Sequence, residues 1–381
     1  MHIILAVSSQ AGYADRFLRG VAAYAQPAGR IHFDRLAPSR ESMLRVVESK
    51  ADGIIALASD LDILCVLENS SLPVVCGGAP LNTRRLHQVQ NDEQAIARMA
   101  FEHLMSRGYR NFAATVTRGG HPDSRLLAFG ELVRRQGWNF DLFDRPAASL
   151  VVGDADYKAA LTDWLKNLPK PVGVFCAQDT HAFGVLQICA QLGLDVPREI
   201  GVVGVDNYES VCLLSEFPLS SVDVAAERSG YEAMALLERQ IAGPSQQPEV
   251  VIVPPIRVVP RRSTDTGVAD DRLVCQSLTI MRENLSQSLS IELLCDKLLC
   301  SRRSLERRFI ACLGVSPAQA WARLRVEEVQ RLLMSPELQV REIAARTGFT
   351  DSRTLAANFR KTTGMTPTEF RRLALPGRRN D

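Results

Sequence analysis

Short apolar runs of strand length alternate with amphipathic helical segments through the first 260 residues. The strand-like runs cover residues 3–7, 53–57, 74–77, 112–116, 173–177 and 201–205. The helical segments between them include residues 92–107, 126–136, 155–168 and 180–192. A strand followed by a helix and a further strand is typical of βαβ units, so this order predicts parallel sheets covered by helices.

The rest of the chain contains an internal repeat. Residues 290–321 reappear without a gap, 50 residues later, as residues 340–371. The identical pairs are Glu292 and Glu342, Arg303 and Arg353, Leu305 and Leu355, Phe309 and Phe359, Gly314 and Gly364, and Pro317 and Pro367. Because the matches fall on apolar and turn positions, they indicate a duplicated structural unit.

Each copy of the repeat predicts two short helices joined by a turn. In the first copy, Ser290 caps one helix, residues 299–300 form the break, and Ser301 caps the next helix. In the second copy, residues 340–347 form the first helix, Gly348 forms the break, and Asp351 caps the second helix. Both copies are therefore helix-turn-helix candidates.

The second helix of each copy carries basic residues around a narrow apolar seam. Leu305 and Phe309 form the seam in the first copy, among Arg302, Arg303, Arg307 and Arg308. In the second copy, Arg353, Asn358, Arg360 and Lys361 surround Leu355 and Phe359. Arginine can pair with both acceptors of a guanine edge, so such a helix suits a DNA major groove. The alternative interpretation is a charged helix face that only contacts solvent. The occurrence of the same pattern in both copies argues against this interpretation.

Polar residues in the first 260 positions collect where predicted strands end. The candidates are Gln10, Tyr13, Asp15 and Arg16 after the first strand, Asp179 after residues 173–177, and Asp206 with Asn207 after residues 201–205. In open α/β sheets, ligands bind beyond the carboxyl ends of the strands. Carboxylate, amide and guanidinium groups suit a small polyhydroxylated ligand. Turn capping or a surface ion pair is the alternative at each single position.

Composition narrows the class of protein. Residues 271–381 hold 19 Lys and Arg against 12 Asp and Glu, whereas the preceding residues hold 26 against 31. A polyanionic partner is therefore expected at the C-terminal end. The nine cysteines show neither a disulfide framework nor a metal-like Cys/His spacing, and nucleotide-binding glycine motifs are absent. We accordingly expect no cofactor, no metal site, no catalytic residues, no membrane anchor and a cytoplasmic location.

The segment from residue 278 to residue 373 resembles the DNA-binding domain of the AraC family of transcription regulators. The resemblance rests on residues 301–309, a linking helix over residues 317–334, and the ending at residues 359–370. It implies that both second helices enter successive major-groove segments of double-stranded DNA. It further implies base contacts by Arg302, Arg303, Glu306, Arg307, Ser352, Arg353 and Ala356. Asn358 and Lys361, which face outward on the second helix, complete the predicted DNA contacts. Ala357 stands where many members carry arginine, which puts part of the second helix's base reading in doubt.

The first 260 residues resemble the periplasmic-binding-protein-like sensor of lac-repressor-type regulators, most specifically at residues 51–55 and 196–207. The resemblance implies two lobes that close on a ligand held by Arg125, Asp179 and Asp206. Together, the two resemblances match the xylose-operon regulators of bacteria. They imply a homodimer that senses a sugar, most directly a pentose, and that contacts RNA polymerase if it is an activator.

The predicted fold class is an α/β two-lobed, type I periplasmic-binding-protein-like sensor followed by an all-α domain with two helix-turn-helix units. We place the sensor at residues 1–263, a linker at residues 264–277 and the DNA-binding domain at residues 278–381. The competing hypotheses are a solute-binding component of a transporter, an α/β enzyme, and the same regulator acting as a repressor or sensing another polar effector such as a nucleoside. The appended helical repeat argues against a transporter component. Six scattered histidines and the lack of a Gly-x-Ser-x-Gly motif argue against an enzyme.

Overall fold

The computed structural model describes residues 1–7, 12–26, 31–58, 60–78, 83, 85–115, 124–144, 155–243, 245, 247–264, 271–287, 289–313 and 315–375. The strands are β1 His2–Ala6, β2 His32–Leu36, β3 Gly53–Ala56, β4 Val74–Gly78, β5 His87–Asn91, β6 Asn111–Thr115, β7 Asn139–Phe143, β8 Val172–Cys176, β9 Ile200–Val205, β10 Ser220–Asp223, β11 Val250–Val253 and β12 Arg257–Val259.

The helices fall into two groups along the chain. Those between the strands are α1 Gly12–Ala25, α2 Arg40–Val47, α3 Leu61–Glu68, α4 Glu93–Ser106, α5 Ser124–Arg135, α6 Ala155–Asn167, α7 Asp179–Leu192, α8 Glu209–Leu214 and α9 Ala226–Ala242. Those after the last strand are α10 Arg272–Glu283, α11 Ile291–Lys297, α12 Arg302–Leu313, α13 Pro317–Leu333, α14 Val340–Arg346, α15 Ser352–Thr363 and α16 Pro367–Ala374.

Contacts divide the chain into two units. The first unit consists of residues 1–95, 223–256 and 373–381. Its six-stranded sheet has the order β11-β5-β4-β3-β1-β2, and all the recorded strand pairs are parallel. One face of the sheet packs on α2 and α3 through side chains such as Ile4, Ile54, Met43 and Leu64. The sheet is therefore a βαβ-type layer of the predicted kind.

Helices α1 and α9 cross at close range in the first unit, and two glycines allow this approach. A Cβ atom on Gly20 would lie 1.8 Å from the carbonyl oxygen of Glu227. A Cβ atom on Gly230 would likewise lie 1.8 Å from the carbonyl oxygen of Phe17. Because each obstacle is backbone, no side-chain rotation could make room for a methyl group.

The second unit consists of residues 96–222 and 257–372, and it includes a second six-stranded sheet. The order of this sheet is β12-β10-β9-β8-β6-β7, and its recorded pairs are again parallel. Buried aromatic rings fill one side, with Phe129 stacked on Phe175 at 4.8 Å between ring centroids. The two sheets confirm the predicted α/β fold with two lobes.

The residues after the last strand form the C-terminal helical segment, which we define as residues 271–375. Its core combines α10, α11, α12 and α13 through Val274, Leu294, Leu305, Phe309 and Leu324. Helix α10 begins at Arg272, where Asp271 caps it, so the stretch predicted as a linker over residues 264–277 ends in a helix. Leu273 and Val274, near the start of α10, pack on the helical core.

We expect Gly230→Ala to lower the thermal unfolding midpoint, since overpacking of this kind costs about 1–3 kcal/mol. That cost exceeds the gain of about 1 kcal/mol by which alanine favours a helix. Gly243→Ala is the matched control, because a Cβ atom at Gly243 meets nothing within 4 Å. A Gly230→Ala protein as stable as the wild type would contradict the close crossing.

Candidate functional site

The first helix-turn-helix unit is held by hydrogen bonds at the start of each helix. Ser290 Oγ accepts from the backbone N–H of Leu293 at 3.1 Å, and Ser301 Oγ accepts from that of Ser304 at 3.2 Å. Leu299 provides the turn between them with a left-handed φ of 51°. These side chains satisfy amide groups that a helix start leaves without partners. The predicted caps and break of this copy are confirmed.

The second unit repeats this arrangement with different residues. Gly348 provides the turn with a φ of 66°, and Asp351 Oδ1 accepts from the backbone N–H of Thr354 at 2.7 Å. The first helices contain 7 residues in both copies, and the second helices contain 12. Leu305, Phe309, Leu355 and Phe359 are fully buried and form the two apolar seams. The duplication read from the sequence is therefore a duplication of structure.

The basic side chains of α12 differ in how far they are engaged. Arg302 forms ion pairs with Glu292 at 2.8 Å and with Glu306 at 3.0 Å. In contrast, Arg303 and Arg307 are exposed and have no hydrogen bond or ion pair with another described residue. Two unpaired guanidinium groups four positions apart on one helix face are available for acceptors on a partner. Before Arg302 or Glu306 could contact such a partner, the ion pair between them would have to break.

Arg308 has a structural role that its sequence position did not reveal. It forms an ion pair with Asp271, the cap of α10, and so links α12 to the start of the C-terminal helical segment. A hydrogen bond from the Arg308 guanidinium holds the pKa of Asp271 below its usual value, against the opposing effect of burial.

The predicted DNA-contact residues of α15 differ in exposure. Arg353 and Lys361 are exposed, whereas Ser352, Ala356 and Asn358 are half-buried. Asn358 Nδ2 donates to the carbonyl oxygen of Thr354 at 2.9 Å, which points its amide back along its own helix. The unpaired cations on this helix are thus Arg353, Arg360 and Lys361 among the described residues.

Two arginines that the sequence did not single out hold the second unit on the linking helix α13. Arg325 Nε donates to the carbonyl oxygen of Thr347 at 2.8 Å, and its guanidinium carbon lies 3.5 Å from the ring centre of Phe349. Burial lowers the pKa of Arg325. Arg371 Nε and Nη2 donate to the carbonyl oxygens of Leu333 and Leu338 at 3.2 and 2.6 Å. Both residues use a charged donor to satisfy carbonyl groups at helix ends.

At the carboxyl end of the second sheet, Asp179 is a buried centre of hydrogen bonds. Its Oδ1 accepts from Ser221 Oγ at 2.6 Å, and its Oδ2 accepts from the backbone N–H of Tyr208 at 2.7 Å and from Cys212 Sγ at 3.4 Å. Burial raises the pKa of Asp179 to about 6, although these hydrogen bonds oppose the rise. Asp179 therefore holds three neighbouring elements together, and its role as a ligand contact stays a prediction.

The next strand ends in two consecutive left-handed residues. Asp206 has a φ of 103° and Asn207 a φ of 49°, a conformation that costs about 1–3 kcal/mol per residue outside glycine. Arg261 Nη2 donates to Asn207 Oδ1 at 2.8 Å, while Ser221 Oγ accepts from the backbone N–H of Asn207 at 3.0 Å. Strained backbone held in place by surrounding bonds is found at functional sites more often than elsewhere.

Arg125 and Gln178 lie at the end of β8. Arg125 is buried in the first turn of α5, and its Nη1 donates to the carbonyl oxygen of Ala177 at 2.8 Å. Gln178 is exposed at the start of α7, and its side chain makes no capping hydrogen bond. The sequence pointed to Asp179 as a ligand contact, yet the side chain of Gln178 is more accessible to solvent than that of Asp179. Only the fold distinguishes these adjacent positions.

The candidates of the first unit follow β1. Tyr13 Oη donates to Asn91 Oδ1 at 3.4 Å, and Asp15 is exposed in the first turn of α1. Arg16 is engaged: it lies 2.8 Å from Asp223 Oδ1 and 2.6 Å from Glu227 Oε2, which fastens α1 to α9. Gln10 lies outside the described residues.

One contact within the second unit connects α4 with the linking helix α13. Arg107, directly after α4, has its Nη2 3.6 Å from Oε1 of Glu327 on α13. Four residues earlier on α4, His103 Nε2 lies 2.7 Å from Oγ1 of Thr264, the last described residue before the C-terminal helical segment. Burial keeps the pKa of His103 well below its ordinary value, so its imidazole is neutral. The end of α4 therefore contacts both this junction residue and the linking helix.

Two family models match the chain. A periplasmic binding protein-like domain matches residues 101–264, and a helix-turn-helix domain of AraC type matches residues 294–373. No helix in the described ranges is long and apolar enough to cross a membrane.

The chain is similar to curated proteins over nearly its whole length. It is 28% identical to the xylose operon regulatory protein of Escherichia coli K12, over 97% of this chain and 96% of that protein. It is also 28% identical to the protein of that name from Haemophilus influenzae, over 84% of each. Among solved structures, the xylose-binding transcription activator XylR matches with a TM-score of 0.62 and 27% identity, over 97% of both chains.

These relatives are transcription regulators rather than enzymes. Both resemblances read from the sequence are confirmed, that of the sensor by a model over residues 101–264 and that of the DNA-binding domain by a model over residues 294–373. The chain is thus similar to transcription regulators in which a periplasmic-binding-protein-like domain precedes an AraC-type helix-turn-helix domain.

Proposed function

We propose that this protein regulates transcription in response to a small sugar, most directly a pentose such as xylose. The observation that carries the proposal is the pair of capped helix-turn-helix units in the same chain as two α/β sheets whose strand ends carry polar residues. The E. coli relative and the structural match are named for xylose, and their similarity extends over both parts of the chain. We propose activation rather than repression because the structural match is named as a transcription activator.

The DNA-binding part of the proposal rests on α12 and α15. Each helix would enter a major groove, with Arg303 and Arg307 from the first and Arg353 from the second as contacts to base edges or phosphates. Arg325 and Arg371 would keep the two helices at a constant spacing, because they fasten α14 and α16 to α13. Ala357 leaves the centre of α15 without a long donor, so α12 is the principal base-reading helix.

The sugar-binding part rests on residues at the strand ends of each sheet. In the second unit, Asp206, Arg125 and Gln178 are the proposed contacts. In the first unit, taken by itself, Tyr13 and Asp15 stay predicted contacts. Carboxylate and guanidinium groups can each bond two neighbouring hydroxyls, which suits a pentose. Arg16, Asp179 and Asn207 stay predicted contacts, and their side chains also bond to protein groups.

We further propose that the protein acts as a homodimer in the cytoplasm, where its operator DNA lies, and that it contacts RNA polymerase as an activator. It has no catalytic role. Sugar binding would shift the population toward an arrangement in which the helix-turn-helix units can dock, and the contact between Arg107 and Glu327 would transmit this change.

The deciding experiment measures binding of the purified full-length protein to its own upstream DNA by fluorescence anisotropy. A panel of pentoses, hexoses and nucleosides is added in turn. A single sugar that changes DNA affinity supports the proposal and names the effector. A response to a nucleoside alone would replace the sugar, whereas failure to bind the DNA specifically would overturn the regulator itself.

Arg303→Ala should weaken binding to the specific site by about 1–3 kcal/mol, because it removes a free guanidinium group from the base-facing side of α12. Comparing the affinity for the specific site with the affinity for scrambled DNA distinguishes a contact to a base from a contact to a phosphate. Arg135→Ala is a matched control, since Arg135 is an exposed arginine on α5. An unchanged preference for the specific site would remove Arg303 from base recognition.

Asp206→Asn should abolish the response to sugar while basal DNA affinity stays near that of the wild type. Asparagine tolerates the left-handed backbone at this position, so the variant tests the carboxylate rather than the fold. Asp195→Asn serves as the control, because Asp195 is exposed and outside the proposed site. Isothermal titration with the sugar and anisotropy with DNA report the two effects separately, and a normal sugar response would exclude Asp206.

Exchanging the charges of Arg107 and Glu327 tests the transmission of the signal. Glu327→Arg alone places two like charges together, so the sugar-induced change in DNA affinity should fall by about fivefold or more. The double variant Arg107→Glu with Glu327→Arg should regain part of the response, provided that both proteins unfold at temperatures close to that of the wild type. A full response in Glu327→Arg, with sugar affinity unaltered, would show that the signal takes another route.

A further inference from the structure

Three donor side chains meet at the edge of the first sheet, away from the carboxyl-end residues considered above. Strands β1 and β2 are parallel neighbours, and His2 lies opposite His32 in their register. Asp34 follows two positions after His32, so both project from the same face of β2. His2, His32 and Asp34 therefore come together although the two histidines are 30 positions apart along the chain.

The donor atoms of these residues are close to one another. Asp34 Oδ2 lies 2.8 Å from His2 Nε2, and Asp34 Oδ1 lies 3.5 Å from His32 Nε2. The three ligand atoms lie within 4.8 Å of one another. Zinc bonds of about 2.0–2.2 Å in tetrahedral geometry place neighbouring ligand atoms roughly 3.3 Å apart, so small side-chain rotations would suffice.

We propose that His2, His32 and Asp34 bind one divalent cation of the zinc class. Two imidazole nitrogens and one carboxylate oxygen form a donor set that Zn²⁺, Ni²⁺ and Cu²⁺ accept, with water completing the coordination. The spacing of cysteine and histidine along the chain gave no sign of a metal site, because such spacing reveals only ligands on one local segment. Strand pairing creates this site.

The backbone holds the three residues in position before any ion arrives. The backbone N–H of His2 donates to Asp52 Oδ2 at 2.7 Å, and the N–H of Asp52 donates to the carbonyl oxygen of His2 at 2.8 Å. The N–H of His32 donates to the carbonyl oxygen of Met1, also at 2.8 Å. Ligands on paired strands lose little conformational freedom on binding, which favours a site of measurable affinity.

The side chains are also accessible to an ion. The exposed fractions are 37% for His2, 72% for His32 and 57% for Asp34. A cation can thus enter from solvent and keep water ligands. Such an open site suits reversible binding rather than a structural metal that the fold requires.

The test uses untagged full-length protein stripped of metal with a chelator. Isothermal titration with ZnCl₂ should show one ion per chain, and Co²⁺ should give visible absorption bands that change on binding to nitrogen ligands. His32→Ala and Asp34→Asn should each weaken Zn²⁺ binding at least about tenfold. Asp62→Asn is the matched control, because Asp62 is exposed on α3 outside the cluster, and it should leave the affinity unaltered.

Two results would overturn the proposal. One is wild-type protein that binds no Zn²⁺ at concentrations up to about 100 µM, because a site formed by three ligands on paired strands should bind the ion more tightly than that. The other is binding in His32→Ala and Asp34→Asn with the affinity of the wild type, which would place the ion elsewhere. Circular dichroism checks that the variants are folded, and Asp34→Asn alone decides the question if His32→Ala is unstable.

Discussion

The buried carboxylate of Asp179 is the constraint on which the carboxyl end of the second sheet depends. A charge in so dry a position is tolerated only if donors surround it, and it receives hydrogen bonds from β10, from the turn after β9 and from α8. Gly204 makes this possible, since a Cβ atom there would lie 2.2 Å from Asp179 Oδ1. The turn that carries Asp206 and Asn207 is consequently fixed, including its strained backbone.

In the C-terminal helical segment, side-chain hydrogen bonds satisfy the backbone groups at the ends of short helices. Each short helix leaves amide and carbonyl groups without partners at its ends, and 7-residue helices would be unstable alone. Serine and aspartate caps satisfy the first turns, and Arg325 and Arg371 satisfy carbonyl groups at the helix ends. The same bonds that stabilise the helices therefore determine the spacing at which α12 and α15 are presented.

The end of α4 meets the C-terminal helical segment within the second unit. His103 contacts Thr264 and Arg107 contacts Glu327, so one helix end touches the junction residue and the linking helix together. The helix-turn-helix units are fastened to α13 by buried contacts. The signal proposed above would therefore enter the C-terminal helical segment through this helix end.

The sequence by itself determined the element types, the duplicated helix-turn-helix units, their caps and their apolar seams. These features depend on neighbours within one or two helical turns, which periodicity and capping residues encode directly. The parallel sheets also followed from the alternation of strands and helices. The same holds for the identity of the strand-end residues, because a strand end is a local property.

Only the tertiary structure decided which of these side chains are available to a partner. Arg302, Arg308, Arg16 and Asp179 looked equivalent to their neighbours in sequence, yet each is engaged by a residue from another element. Arg303, Arg307 and the exposed Gln178 are distinguished from them by burial and pairing alone. The pairing of His2 with His32 likewise exists only across β1 and β2. Long-range packing sets these partners, and no short-range pattern carries that information.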